Sequence, residues 1–265
     1  MRTPRVFLST CLEVGQEVRL PEAEAHHLLQ VLRRKVGDSV LLASKSGIFE
    51  GVLIGLEGES ATADASFEVR VEVRRVADEA SIPTVPWTVA VARVKGQGMD
   101  QAVRIASELG LERLVPLTTA RTVVRGPAAS KAERWKRIAQ ESAKQCGRAP
   151  PLEVAPGVSF QKLVAGAGGG GPAEARWIAV PGAPWPALGG ARGPNGLGGR
   201  GPSPTGELAE ALFLVGPEGG FTPEEVEMAT AAGFRPLGFP TPTLRTPTAV
   251  LLLAALGLLL GPESR

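Results

Sequence analysis

From Ala249 to Leu260 the chain carries twelve residues, AVLLLAALGLLL, without one polar side chain. A surface helix needs a polar face, and this run has none on any side. It is also too short to cross a bilayer, which takes about 20 residues. The run is therefore expected to be buried all round, and a subunit interface would bury it. Thr246 and Pro247 suit the N-cap and first helical positions just before it. Any fold for this chain has to supply walls for that helix.

Those walls can come from upstream. From Trp87 onward WTVAVARV, RLVPL, RWIAV, LFLVG and FRPLGF read as strands. MDQAVRIASELG and KAERWKRIAQESAKQCGR read as helices among them; Trp135, Ile138, Ala139, Ser142 and Cys146 share a face of the second. Strand and helix in alternation predict an α/β domain with a largely parallel sheet. The first 75 residues read differently. A helix opening at Pro21, with Leu28, Val31 and Leu32 as its stripe and Gly37 as its stop, precedes strands SVLLAS, GIFEGVLIG and SFEVRVEVRRV. Alternation puts Phe67, Val69, Val71 and Val73 on one face, as in a small barrel or half-barrel. ADEASIPTVP then reads as a linker, and the Gly/Pro-rich stretch 166–206 as loops or insertions. Gly166, Gly168 and Gly171 match G-x-G-x-x-G there, but in a glycine tract with no strand and helix around it the match is chance.

Much chemistry is excluded. His26 and His27 are adjacent on a helix and diverge, and two distant cysteines, Cys11 and Cys146, offer neither a zinc spacing nor a disulfide framework. No metal is expected, no membrane segment, and a cytoplasmic location. Serine-hydrolase and P-loop motifs are absent from the sequence, and so is tyrosine. Between Arg113 and Arg148 nine Lys/Arg face only Glu133 and Glu141, a local net charge of +7. Such a cluster is the electrostatic footprint of a nucleic-acid partner, although a solvated helix face would look the same.

LFLVGPEGGFTPEEVEMA raises the sharper question. Strand, glycine turn and helix commonly hold phosphate, yet Glu218 sits inside this turn and Glu224 and Glu225 open the helix. Anion binding at a helix start needs the opposite charge. Gly216, Gly219 and Gly220 would instead let the main chain approach a flat polar ligand. S-Adenosylmethionine, cationic and without phosphates, fits that description. A plain strand-to-helix turn with a surface glutamate fits equally well.

HHLLQVLRRKVGD, VKGQGMDQAVRIASELGLERLVPL, RWKRIAQESAKQCGR, LVGPEGGFTPEEVEMA and TLRTPTAVLLLAAL, in that order, resemble the RsmE family of SPOUT-class RNA methyltransferases. The resemblance implies a PUA-like RNA-binding β-barrel at residues 1–75 and a methyltransferase domain at 82–265 with a C-terminal trefoil knot. It implies a homodimer that uses S-adenosylmethionine to methylate N3 of a uridine in small-subunit (16S) ribosomal RNA. Carried over by motif, the cofactor would meet Val180 and Pro181, then Leu214, Val215, Gly216, Pro217, Glu218, Gly219 and Gly220. Leu237, Gly238, Leu244, Arg245, Thr246 and Ala249 would complete that pocket. Arg245 would be catalytic, and RNA would lie across Arg33, Arg34, Lys95, Gln145 and Arg148. The family's usual R-T-E-T-A reads Arg245-Thr246-Pro247-Thr248-Ala249 here, so one carboxylate is missing, and the preceding loop is longer and lacks an arginine. A different SPOUT target, such as a ribose 2′-hydroxyl, and a non-catalytic ribosome-assembly relative remain open on the sequence.

Overall fold

A computed structural model of the chain describes residues 3–8, 10–44, 47–57, 68–77, 84–124, 129–148, 150–167, 175–185 and 210–260. Contacts divide the chain into two compact units, residues 1–82 with 143–150, and residues 83–142 with 151–265. Phe67, most of the ADEASIPTVP segment and most of the Gly/Pro-rich stretch lie outside the described residues.

The first unit is a five-stranded sheet, β1 (Arg5–Phe7), β2 (Glu17–Arg19), β3 (Ser39–Ser44), β4 (Gly47–Glu57) and β5 (Glu68–Val76), in the order β1-β3-β4-β5-β2. Only β1 and β3 run parallel. Alternation works as read: Val69, Val71 and Val73 are fully buried, with charged neighbours facing outward. The early helix differs from expectation. After α1 (Glu22–His26) the chain widens into a π-helical turn at His27–Val31, with the Leu32 amide bonded to the His27 carbonyl at 3.0 Å. The wider turn changes the angular step per residue. Leu28 stays buried, while Val31 and Leu32 are exposed rather than part of a stripe.

The second unit holds a seven-stranded sheet with only parallel pairs: β6 (Val85–Ala92), β7 (Leu111–Thr118), β8 (Glu153–Val154), β9 (Val158–Ser159), β10 (Ala175–Ala179), β11 (Ala211–Val215) and β12 (Arg235–Leu237). Its order is β12-β10-β11-β6-β7-β8, with β9 also on β7. This is the α/β fold with a parallel sheet that the strand–helix alternation predicts. Helices α2 (Gly98–Glu108), α3 (Ala129–Cys146) and α6 (Thr246–Leu260) contribute to the core on one face. Those of the other face are α4 (Phe160–Ala167) and α5 (Pro223–Ala231). Covered on both faces, β11 is buried at every residue, which is why it reads as an unbroken apolar run.

Within the chain α6 is not buried all round. Ala249, Val250, Leu253, Ala254 and Gly257 face the core, and Gly257 lies so close to β6 that a Cβ there would stand 2.5 Å from Val85 Cγ1. Leu251, Leu258 and Leu259 are exposed, the last at 79%. No described helix is long and apolar enough to cross a membrane.

Candidate functional site

The carboxyl ends of three neighbouring strands, β10, β11 and β12, open onto a cavity of about 350 Å³. Crevices beyond strand carboxyl ends are where open parallel sheets hold ligands. The β11 end continues into the turn Gly216–Gly220, closed by the Gly220 amide donating to the Pro217 carbonyl at 2.8 Å. Gly220 has a φ of +69°, and a Cβ on Gly216 would crowd the Gly220 backbone and Phe221 ring at 3.3 Å. Both positions need glycine for different reasons, one for its backbone angle and one for space.

Three contacts hold the turn in place. Thr246 Oγ1 donates to the Gly216 carbonyl at 2.9 Å, so its hydroxyl ties α6 to the turn, and the expected cap role is not the one it plays. Thr246 is instead the first residue of α6, and the Arg245 carbonyl accepts from the Ala249 amide. Arg121, in the loop after β7, donates to the carbonyls of Gly219 and Phe221 at 2.5 and 3.2 Å. Glu225 is 3% exposed. It completes the capping box with Thr222, and its other oxygen accepts the Ala120 amide at 2.8 Å. Neighbouring Glu224 has its carboxyl held below the ordinary range by its own backbone hydrogen bond first, then by the Thr222 side chain and by Arg121. Replacing Glu225 with alanine leaves two amides short of an acceptor. It should cost about 2 kcal/mol or more of stability, read as a lower urea midpoint at unchanged slope, whereas Glu225→Gln, which keeps one oxygen, should cost less.

Most of the residues expected at a cofactor do line this cavity: Val180, Pro181, Val215, Gly216, Pro217, Glu218, Gly219, Gly220, Leu237, Leu244, Thr246 and Ala249. Leu214 does not; it is fully buried on the α4–α5 side of the sheet. Gly238 lies behind the wall, packed on Ala183. Arg245 sits at the start of α6 with its side chain exposed and outside the lining. Sequence reading passed over Phe239, Thr241, Pro242 and Thr243, which form one rim, and Arg121, which braces the turn. Glu218 is the one charged residue in the described lining, and no Lys or Arg joins it. A polyphosphate would find no counter-charge there, and a cationic ligand would.

Of the residues expected at RNA, Arg33, Lys95 and Gln145 are exposed and Arg34 is half-buried. Arg148 is corrected: it is fully buried, because Gly147 at a φ of +83° turns the chain back at the end of α3 and carries the next side chain inward. The net charge of the basic stretch is also reduced by partners remote in sequence. Arg113 pairs with Glu153, Arg134 with Asp100 and Lys144 with Glu24, at 3.2, 2.5 and 2.5 Å.

Fold and cavity together define a parallel α/β protein with a small-ligand site beside a glycine turn. Residues 81–258 match the family described as RNA methyltransferase domain. Ribosomal RNA small subunit methyltransferase E of Synechocystis sp. is 31% identical over 232 residues, 88% of this chain and 69% of that protein. The Bacillus subtilis protein of the same name is 28% identical over 53% of this chain and 54% of its own length. A crystal structure of the Neisseria gonorrhoeae protein of that name, bound to S-adenosyl methionine, is similar at a TM-score of 0.76 and 26% identity, over 98% of both chains. The chain belongs to the ribosomal RNA small subunit methyltransferase E family.

Proposed function

We propose that this protein transfers a methyl group from S-adenosylmethionine to N3 of a uridine in 16S ribosomal RNA, in the cytoplasm and as a homodimer. The observation that carries the reading is the cavity at the glycine turn, whose described lining has one carboxylate and no cation. The names of the relatives support the substrate class, and the cofactor in the Neisseria gonorrhoeae structure supports the donor. The first unit is read as the PUA-like RNA-binding barrel and the second as the SPOUT domain. The tie from Thr246 on α6 to the Gly216 carbonyl fits a knotted C-terminal segment, and the exposed Leu251, Leu258 and Leu259 fit a subunit interface.

The sulfonium donor supplies an electrophilic methyl group when bound. Main-chain groups from Val215 to Gly220 and the walls at Val180 and Leu237 would hold it, with Glu218 tolerating its positive charge. Uridine N3 carries a proton and becomes a nucleophile once that proton leaves. Arg245, exposed beside Leu244 and Thr246 of the lining, would stabilise the negative charge that spreads to the uracil carbonyls. With no histidine in the lining, the proton is assigned to solvent.

The test is nucleoside mass spectrometry of 16S ribosomal RNA from a deletion strain after incubation with the protein and donor. N3-methyluridine should appear. A methyl on ribose, or none despite donor binding in a calorimeter, would replace this reading by one of the two that the sequence leaves open.

A further inference from the structure

A second cavity, of about 230 Å³, lies in the same unit and shares no described lining residue with the first. Among the described residues Arg93, Lys131 and Arg134 line it against a single carboxylate, Asp100, so the described lining has a net charge of +2. Arg134 is held by Asp100, its Nη2 2.5 Å from Oδ2 and its Nε 3.2 Å from the same oxygen. That hydrogen bond, then the charge of Asp100, raises the Arg134 pKa further. Arg93 is 6% exposed and donates from Nη2 to the Val124 carbonyl at 2.9 Å, which fixes its guanidinium in the wall. Lys131 is exposed and lines the same cavity.

The placement of Lys131 is electrostatically unusual. It stands in the first turn of α3, a turn with no acidic residue, where the helix dipole is positive and favours an anion. A cation there is unfavourable unless something negative arrives, and a local conflict of that kind points to a ligand. Position narrows the choice. A Cβ on Gly98, at the start of α2, would lie 2.4 Å from Val94 Cγ2, in this cavity's lining, and 3.9 Å from Pro247 Cγ, two residues beyond Arg245. The cavity thus sits beside the segment that carries the proposed reaction centre.

Resting on the reading of this chain as an RNA methyltransferase, we propose that the pocket of Arg93, Lys131 and Arg134 receives one phosphodiester of the RNA substrate, close to the nucleotide being methylated. A phosphate there would complete the charge of the pocket and the start of α3. Its role is to register the strand, not to read bases.

Binding of 16S ribosomal RNA to the full-length protein, followed over a range of salt concentrations, tests this. Each phosphate neutralised contributes roughly 0.7 to 0.9 to the slope of log K against log salt. Lys131→Gln should reduce the slope by about that much and weaken binding roughly three- to tenfold. Lys131→Glu should weaken it more, and Lys131→Arg should restore it. S-Adenosylmethionine affinity, measured by calorimetry, should stay at the parent value in all three. RNA binding with an unchanged slope in Lys131→Gln overturns the pocket and leaves the methyltransferase reading standing. Loss of donor binding in these variants also counts against it, because the two cavities are separate. A parent protein that binds no 16S RNA overturns both.

Discussion

Arg245→Ala should lose roughly 100- to 1,000-fold in the rate of methyl transfer, the cost of removing one preorganised charge partner from a developing anion. The fold should be untouched, because the side chain is exposed and the main-chain bond that starts α6, from the Ala249 amide to the Arg245 carbonyl, does not use it. Donor affinity should be nearly unchanged, because the guanidinium lies outside the cavity lining. Single-turnover transfer with enzyme in excess isolates the chemical step from binding. A merely structural arginine would lower the rate equally at every pH. An arginine that stabilises deprotonated uracil would leave a deficit that shrinks toward alkaline pH, where solvent removes the proton unaided. Arg245→Lys should recover part of the rate, since a point charge replaces a planar fork imperfectly. An alanine variant as fast as the parent would dismiss the assignment.

Why the sequence led to the cavity but not to its whole wall has a physical explanation. Elements set by local rules are legible: Thr222, Pro223 and Glu225 mark the start of α5, Gly110 with a φ of +86° ends the turn after α2, and the buried central strand β11 reads as five apolar residues. Glycine spacing likewise pointed at the turn from Gly216 to Gly220, where the cavity lies. Features made by distant partners are not legible. The Thr246 hydroxyl looks like a cap in its own neighbourhood, yet its acceptor is 30 residues away. Arg134 and Lys144 look like free positive charge until Asp100 and Glu24 are brought to them across 34 and 120 residues. Arg148 looks like one more cation of the basic stretch, yet after the left-handed turn at Gly147 its side chain is fully buried. The rim from Phe239 to Thr243 has no periodicity to betray it, because loops are placed by what they pack on.

Gly238→Ala should weaken donor binding severely although Gly238 is not part of the cavity lining. A Cβ at this position would lie 1.7 Å from the Ala183 carbonyl oxygen and 2.5 Å from its carbon. Those are backbone atoms, so no rotamer change relieves the overlap and one loop has to move. The two loops are also bonded to each other, the Gly238 amide to the Pro184 carbonyl at 3.1 Å and the Val180 amide to the Leu237 carbonyl at 2.9 Å. Separating them displaces Val180, Pro181 and Leu237, which form one side of the cavity. Such overpacking typically costs about 1–3 kcal/mol of stability. The larger effect should be on affinity, a loss of roughly 100-fold or more, because misplacing a wall by an ångström is felt throughout a preorganised site. Gly233→Ala is the control: its φ of +87° disfavours a side chain, a Cβ there would meet nothing within 4 Å, and the residue lies outside the cavity lining. It should lower stability by about 1 kcal/mol and leave donor affinity within a few-fold of the parent. Calorimetric titration of both variants, with unfolding curves beside them, separates strain from loss of the site. If Gly238→Ala binds S-adenosylmethionine as tightly as Gly233→Ala does, the close approach of these two loops is not what shapes the pocket.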